Sequence, residues 1–113
     1  MKRVYVCGSF RFIHELEELE RRLKEENLEF EISKEMDSRG ILGCLEKIDG
    51  ADIIYVVNPG GYVGRSLCFD LGYAYAKNKP IYAMHSIDDP PVMGLIKGIL
   101  TFEELINLLK DNL

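Results

Sequence analysis

Apolar residues along this chain follow two rhythms. VYVC (4–7) and DIIYVV (52–57) are short runs rich in β-formers, the pattern of strands buried on both faces. PIYAM (80–84) reads the same way, with Pro80 tolerated at the first strand position. LEFEIS (28–33) alternates apolar and polar residues and predicts a strand nearer an edge. Between these runs the spacing turns helical. Phe12, Leu16, Leu19 and Leu23 share one face of a helix predicted over residues 12–26, with Glu, Arg and Lys elsewhere. ILGCLEKI (41–48) predicts a short helix with Ile41, Leu45 and Ile48 on one stripe, broken by Gly50. A further helix is predicted over about residues 65–78, with Leu67, Leu71 and Ala74 toward a sheet. DDPP (88–91) reads as a loop, and residues 97–101 as a short last strand. Thr101 and Glu104 form a T-x-x-E capping box for a final helix, FEELINLLKDN.

The order β-α-β-α-β-α-β-(β)-α predicts a doubly wound α/β fold: a parallel sheet of four to five strands covered by helices on both faces. No repeat, low-complexity tract or linker interrupts the 113 residues, a length that suits one domain, 1–113. In such a sheet ligands bind at the carboxyl ends of the strands. That selects the loops at 8–11 and 58–64 and the segment after Met84.

Hydrophobic content of 47% and charged content of 29% are ordinary for a globular domain. The net charge of −5 argues against binding a nucleic-acid polymer by bulk charge, and leaves room for a local anion site. No run reaches the length of a membrane span, and the apolar run at 4–7 is too short for a signal peptide, so a cytoplasmic protein with no membrane partner is expected. Cys7, Cys44 and Cys68 are odd in number and widely spaced, fitting neither a disulfide framework nor a zinc motif; reduced thiols are expected. No histidine pair has metal-ligand spacing, and no bound metal is predicted.

Three places carry candidate chemistry. In GSFRF, Gly8 lets the chain turn directly after a strand, Ser9 can cap the next helix, and Phe10 leads to Arg11, a fixed charge able to clamp phosphate or carboxylate. The spacing is neither a P-loop nor GxGxxG, and a plain turn with a surface arginine explains it equally. In NPGGYVGRS, Asn58 and Pro59 precede Gly60, Gly61 and Gly64, glycines that allow close backbone approach to a ligand, before Arg65 and Ser66 open a helix; simple turn chemistry is the alternative. Asp70 is the one charge between Ser66 and Ala76. A buried carboxylate is costly unless bonded or paired, so Asp70 is either tied to a tyrosine or backbone amide, or it faces the crevice as a functional group. His14 lies among charges and His85 follows a strand end; each is a weak signal.

Two of these stretches carry a resemblance. VYVCGSFRF and ADIIYVV…GRSLCFDLGYAYAKNKPIY resemble the nucleoside 2-deoxyribosyltransferases and the related deoxynucleoside 5′-monophosphate N-glycosidases, over about four-fifths of the chain. The likeness implies a flavodoxin-like, Rossmann-like sheet, a homodimer or larger assembly in which a neighbouring subunit often completes the site, and no cofactor. It implies a carboxylate nucleophile that attacks the anomeric carbon and displaces the base, with water or a second base resolving the intermediate. Asp70 takes the nucleophile's position, and Tyr5 that of a tyrosine orienting it. Gly8, Ser9, Phe10 and Arg11 match a loop that helps hold a phosphate, and Gly64 and Ser66 a loop that binds sugar or phosphate. Asp70 is one methylene shorter than the family glutamate, Cys44 stands where the family has an acid, and Gly64 stands where the transferases often carry aspartate. Glu46, two residues from Cys44, would point about 200° away on a helix. Arg11 and Gly64 tilt the expectation toward a phosphorylated substrate, and a nucleotide-binding or sensing domain without turnover is the alternative.

Overall fold

A computed structural model describes residues 2–34 and 38–111; Asn112, at the end of the predicted last helix, lies outside them. Five strands form one parallel sheet: β1 (Val4–Gly8), β2 (Phe30–Ile32), β3 (Ile53–Val57), β4 (Ile81–Ala83) and β5 (Gly98–Ile99), in the order β2-β1-β3-β4-β5. This is the doubly wound, flavodoxin-like order. The helices are α1 (Ile13–Glu25), α2 (Ile41–Asp49), α3 (Arg65–Ala76), α4 (Pro90–Met93) and α5 (Phe102–Lys110), with short 3-10 turns at Phe10–Phe12 and Pro59–Gly61.

Strand alternation sorts the core into two halves. Val4, Val6, Ile53, Tyr55 and Val57 meet Leu16, Leu19 and Leu23 of α1 and Leu105, Ile106 and Leu109 of α5. Tyr5, Cys7, Ile54 and Val56 face the opposite layer, with Ile48 of α2 and Leu67, Leu71 and Ala74 of α3. The all-apolar runs are the strands in the middle of the sheet, because both of their faces are covered. The alternating stretch is β2, on one edge, and β5 lies on the other.

Some boundaries differ from the sequence reading. The first helix is preceded by a 3-10 turn, so Phe12 stands just before it, half-buried, with its ring edge against Tyr62 at 6.0 Å. The third helix stops at Ala76, because Asn78 takes a positive φ of 60° and the Lys79 N–H returns to the Ala74 carbonyl at 3.0 Å. In α2 the buried positions are Gly43 and Ile48, while Ile41 is exposed in the first turn, so the apolar stripe is rotated from the expected one. The expected loop at 88–91 contains the start of α4: Asp89 caps it by accepting the Val92 N–H at 3.3 Å, and Pro90 suits the first helical position. No described helix is long and apolar enough to cross a membrane.

Candidate functional site

The strand order reverses between β1 and β3, and a cleft of about 460 Å³ opens beyond their carboxyl ends. Gly8, Ser9 and Phe10 form one wall; Tyr62, Gly64, Arg65, Ser66 and Leu67 form the other. The volume falls within the range of small-molecule sites. Gly8 is required by the sheet itself, since a Cβ there would stand 2.6 Å from the Val57 carbonyl oxygen. Ser9 accepts the Arg11 N–H at 3.3 Å and so caps the turn rather than the long helix. The Arg11 guanidinium lies 4.1 Å from the centre of the Tyr62 ring, a cation–π contact that holds both side chains at the cleft. Gly64 precedes α3 and offers no side-chain cap, so the first backbone N–H groups of that helix are left for an acceptor. Arg65 and Ser66 are exposed beside them. Neutral donors, two guanidinium groups at or near the walls and two exposed aromatic rings make a surface suited to a planar, anionic ligand.

Beneath β1, on the α2–α3 side of the sheet, lies a polar patch of buried Tyr5, Cys7, Ser33 and Asp70 with the half-buried Cys44 beside them. Asp70 is 8% exposed, and its Oδ1 is wholly buried with no hydrogen-bond partner among the described residues. Burial pushes its pKa up to about 6. Tyr5 is 1% exposed, and its hydroxyl also lacks a partner of bonding geometry, although the Ser33 hydroxyl is near enough to oppose the upward shift. Burial raises the Tyr5 phenol well above its ordinary range, and the neighbouring Cys7, Cys44 and Asp70 add to it. Cys7 is raised by burial and then by the Asp70 charge; its thiol contacts the Tyr55 carbonyl at 3.7 Å. Neither bond that would make Asp70 structural, to a tyrosine or to a backbone amide, is formed at Oδ1.

The other candidates separate. Asn58 is fully buried, and its amide is committed at both ends: Nδ2 donates to the His85 carbonyl at 2.8 Å, and Oδ1 accepts the His85 N–H at 2.9 Å. Gly61, at φ +85°, packs so closely on Ser86 that a Cβ would meet its carbonyl oxygen at 2.5 Å. These two residues tie the loop after β3 to the segment after β4. The His85 side chain is exposed, as is His14. Glu46 is held by both guanidinium nitrogens of Arg39, at 2.8 and 2.7 Å, and lies with Arg3, Glu31 and Gly50 in a separate depression, so it supplies no acid to this patch. Among the described residues no group of three His, Cys, Asp or Glu side chains could hold a metal ion. Tyr62, Arg65 and Leu67 line the cleft but were not singled out as binding residues; an aromatic inside a glycine-rich loop and an arginine opening the next helix were the available signals.

No protein-family model matches the sequence, and no curated protein matches it. Solved structures do match along essentially the whole length. A conserved protein from Enterococcus faecalis V583 is 20% identical, covers 100% of this chain and 99% of its own, and superposes with a TM-score of 0.67. The response regulator protein TrrA from Thermotoga maritima, solved with Mg(2+)-BeF, is 22% identical over 100% of both chains, at a TM-score of 0.62. The CMP N-glycosidase BcmB from Clostridium botulinum is 17% identical over 96% of this chain and 98% of its own, at a TM-score of 0.59. At these identities the likeness establishes the flavodoxin-like fold, and it places a nucleotide N-glycosidase among the proteins this chain is similar to in structure.

Proposed function

We propose that the chain binds a nucleoside or its 5′-monophosphate in the cleft at the β1–β3 switch point and cleaves or transfers its N-glycosidic bond with the Asp70 carboxylate. The observation that carries this reading is the unpartnered, buried Asp70 carboxylate, grouped with an equally unpartnered Tyr5 hydroxyl under the strand that ends at the cleft. Buried polar atoms are nearly always bonded, and the exceptions concentrate where a ligand or a reaction uses them. Ser9, Arg11, Arg65 and the uncapped start of α3 supply donors for a phosphate, and Phe10 and Tyr62 supply faces for a base. The structural likeness to a CMP N-glycosidase agrees with the reading. The resemblance that suggests this chemistry also suggests a homodimer, and assembly is part of the proposal.

The test is incubation of the purified protein with the common deoxynucleosides, nucleosides and their 5′-monophosphates, followed by chromatography for free base. Base release from at least one monophosphate is expected. Absence of free base with every compound, at enzyme concentrations near that of the substrate, contradicts the enzyme reading. A second reading, binding without turnover, draws on the depth of Asp70, and a ligand-induced rise in melting temperature with no base release would select it.

A further inference from the structure

The arginines of this chain fall into two sets. Arg3, Arg21, Arg22 and Arg39 each hold a glutamate, at 3.3, 2.6, 2.9 and 2.7 Å. Arg11 and Arg65 have no carboxylate partner among the described residues, although Asp and Glu outnumber Lys and Arg by 19 to 14. Both stand at the cleft: Arg65 lines it, and Arg11 lies over the ring of Tyr62, which lines it. The two partners of that contact are unequally fixed. Arg11 reaches out from an exposed 3-10 turn on a long side chain. Tyr62 follows a loop held from several sides: the Gly61 N–H donates to the Asn58 carbonyl at 2.8 Å, Gly61 abuts Ser86, and Asn58 is tied to His85. The ring itself is set by Phe12 at 6.0 Å, and its hydroxyl oxygen lies 3.6 Å from where a Cβ on Gly64 would stand. The anchored ring therefore holds the cation, rather than the reverse. Contact at 4.1 Å covers one face of the guanidinium and leaves the N–H donors, which lie in its plane, to other acceptors.

Resting on the reading of the cleft as a nucleotide site, we propose that Tyr62 is a positioning residue: it holds the Arg11 guanidinium at the mouth, and through Arg11 it makes the cleft prefer a 5′-monophosphate to the nucleoside. An arginine loses rotamer freedom when a ligand immobilises it. One already laid on a ring has given up that freedom on folding, so more of its attraction for a phosphate appears as affinity. A guanidinium with no carboxylate partner also meets the phosphate without first breaking an ion pair. A neutral nucleoside draws no such benefit. For it Tyr62 offers only a ring face for the base, and nucleoside and monophosphate share that face equally.

The experiment measures dissociation constants at pH 7 by titration calorimetry, with the common ribo- and deoxyribonucleosides and their 5′-monophosphates as probes. The full chain carries Asp70→Asn throughout, so that the probes stay intact. The readout is the phosphate preference, the nucleoside Kd divided by the Kd of its monophosphate. Loss of a stacking face weakens both probes alike and cancels in that ratio. A preference of at least about tenfold is expected before any further change, the worth of a hydrogen bond to a charged group. Tyr62→Leu is expected to lower it about two- to fivefold, the worth of an exposed cation–π contact, and Tyr62→Phe, which keeps the ring, to preserve it. Arg11→Met is expected to lower the preference further, and Tyr62→Leu added to Arg11→Met to change it no more. Tyr62 is 40% exposed, so these variants leave the core intact. The inference is overturned, with nucleotide binding left standing, by a starting preference near one or by an unchanged preference in Tyr62→Leu. It is equally overturned by a Phe variant as poor as the Leu variant, or by the same drop from Tyr62→Leu with and without Arg11. No binding of any probe overturns the inference and the reading of the cleft together.

Discussion

Keeping an ionised carboxylate at 8% exposure without a partner at Oδ1 costs folding stability. The folded pKa of Asp70 is about 6, above the ordinary 3.8, so the folded state binds the extra proton between those values. The contribution of Asp70 to stability is therefore most favourable below pH 4, falls as pH rises from about 4 to about 6, and levels off above that. Two pKa units correspond to nearly 3 kcal/mol, and allowing for the solvent that still reaches the group leaves about 2 kcal/mol. Asp70→Asn removes this dependence, and denaturant unfolding at pH 8 is expected to find the variant at least as stable as the parent. An Asn variant less stable at pH 8 by more than about 1 kcal/mol would mean that the carboxylate is bonded in the fold. Asn58 predicts the opposite behaviour. Asn58→Ala strands the His85 N–H and carbonyl, and a loss of about 2–3 kcal/mol in the same assay is expected, with base release falling only as far as the fold does. Sequence alone could not separate these two polar residues. Asp70 stood out because its neighbours are apolar, whereas the role of Asn58 depends on His85, brought beside it by the fold from 27 positions away.

At the scale of elements, what could be read was what repeats. The continuous run in β3 and the leucine spacing of α1 announce buried positions through their neighbours alone. The capping box is likewise local: Thr101 accepts the Glu104 N–H at 3.1 Å, and Glu104 accepts the Thr101 N–H at 2.9 Å. Thr101→Ala is expected to cost about 1 kcal/mol, visible as a lower denaturation midpoint with unchanged slope. Helix α4 was hidden because Pro90 and Pro91 read as loop, although Asp followed by Pro also suits a helix start. The site was legible to the extent that it lies on loops after strands. Gly8 and Gly64 fall beside the cleft for topological reasons that strand order alone supplies. The start of α3 and the burial of Asp70 were legible, but its surroundings were not, because Tyr5 and Cys7 of β1 and Cys44 of α2 are brought beside it only by the fold.

At the scale of the molecule, the sheet supplies a platform, and the polarity of its two ends differs. The carboxyl ends of β1 and β3 carry arginines, hydroxyls and aromatic rings, while the net charge of the chain is −5. A local basic mouth on an acidic protein favours a small anion over a polymer. Large apolar side chains lie open on the α2–α3 layer, with Leu42 at 64% and Phe69 at 60% exposure. Sedimentation velocity is expected to report twice the 12.9 kDa chain mass, and Phe69→Asp to shift it toward monomer. The measurement that tests the central claim most directly is base release from the panel of nucleoside 5′-monophosphates by the parent protein and by Asp70→Asn at pH 7. The account predicts free base from the parent and at least a hundredfold less from the folded variant. Equal base release by both proteins, or none by the parent, would contradict it.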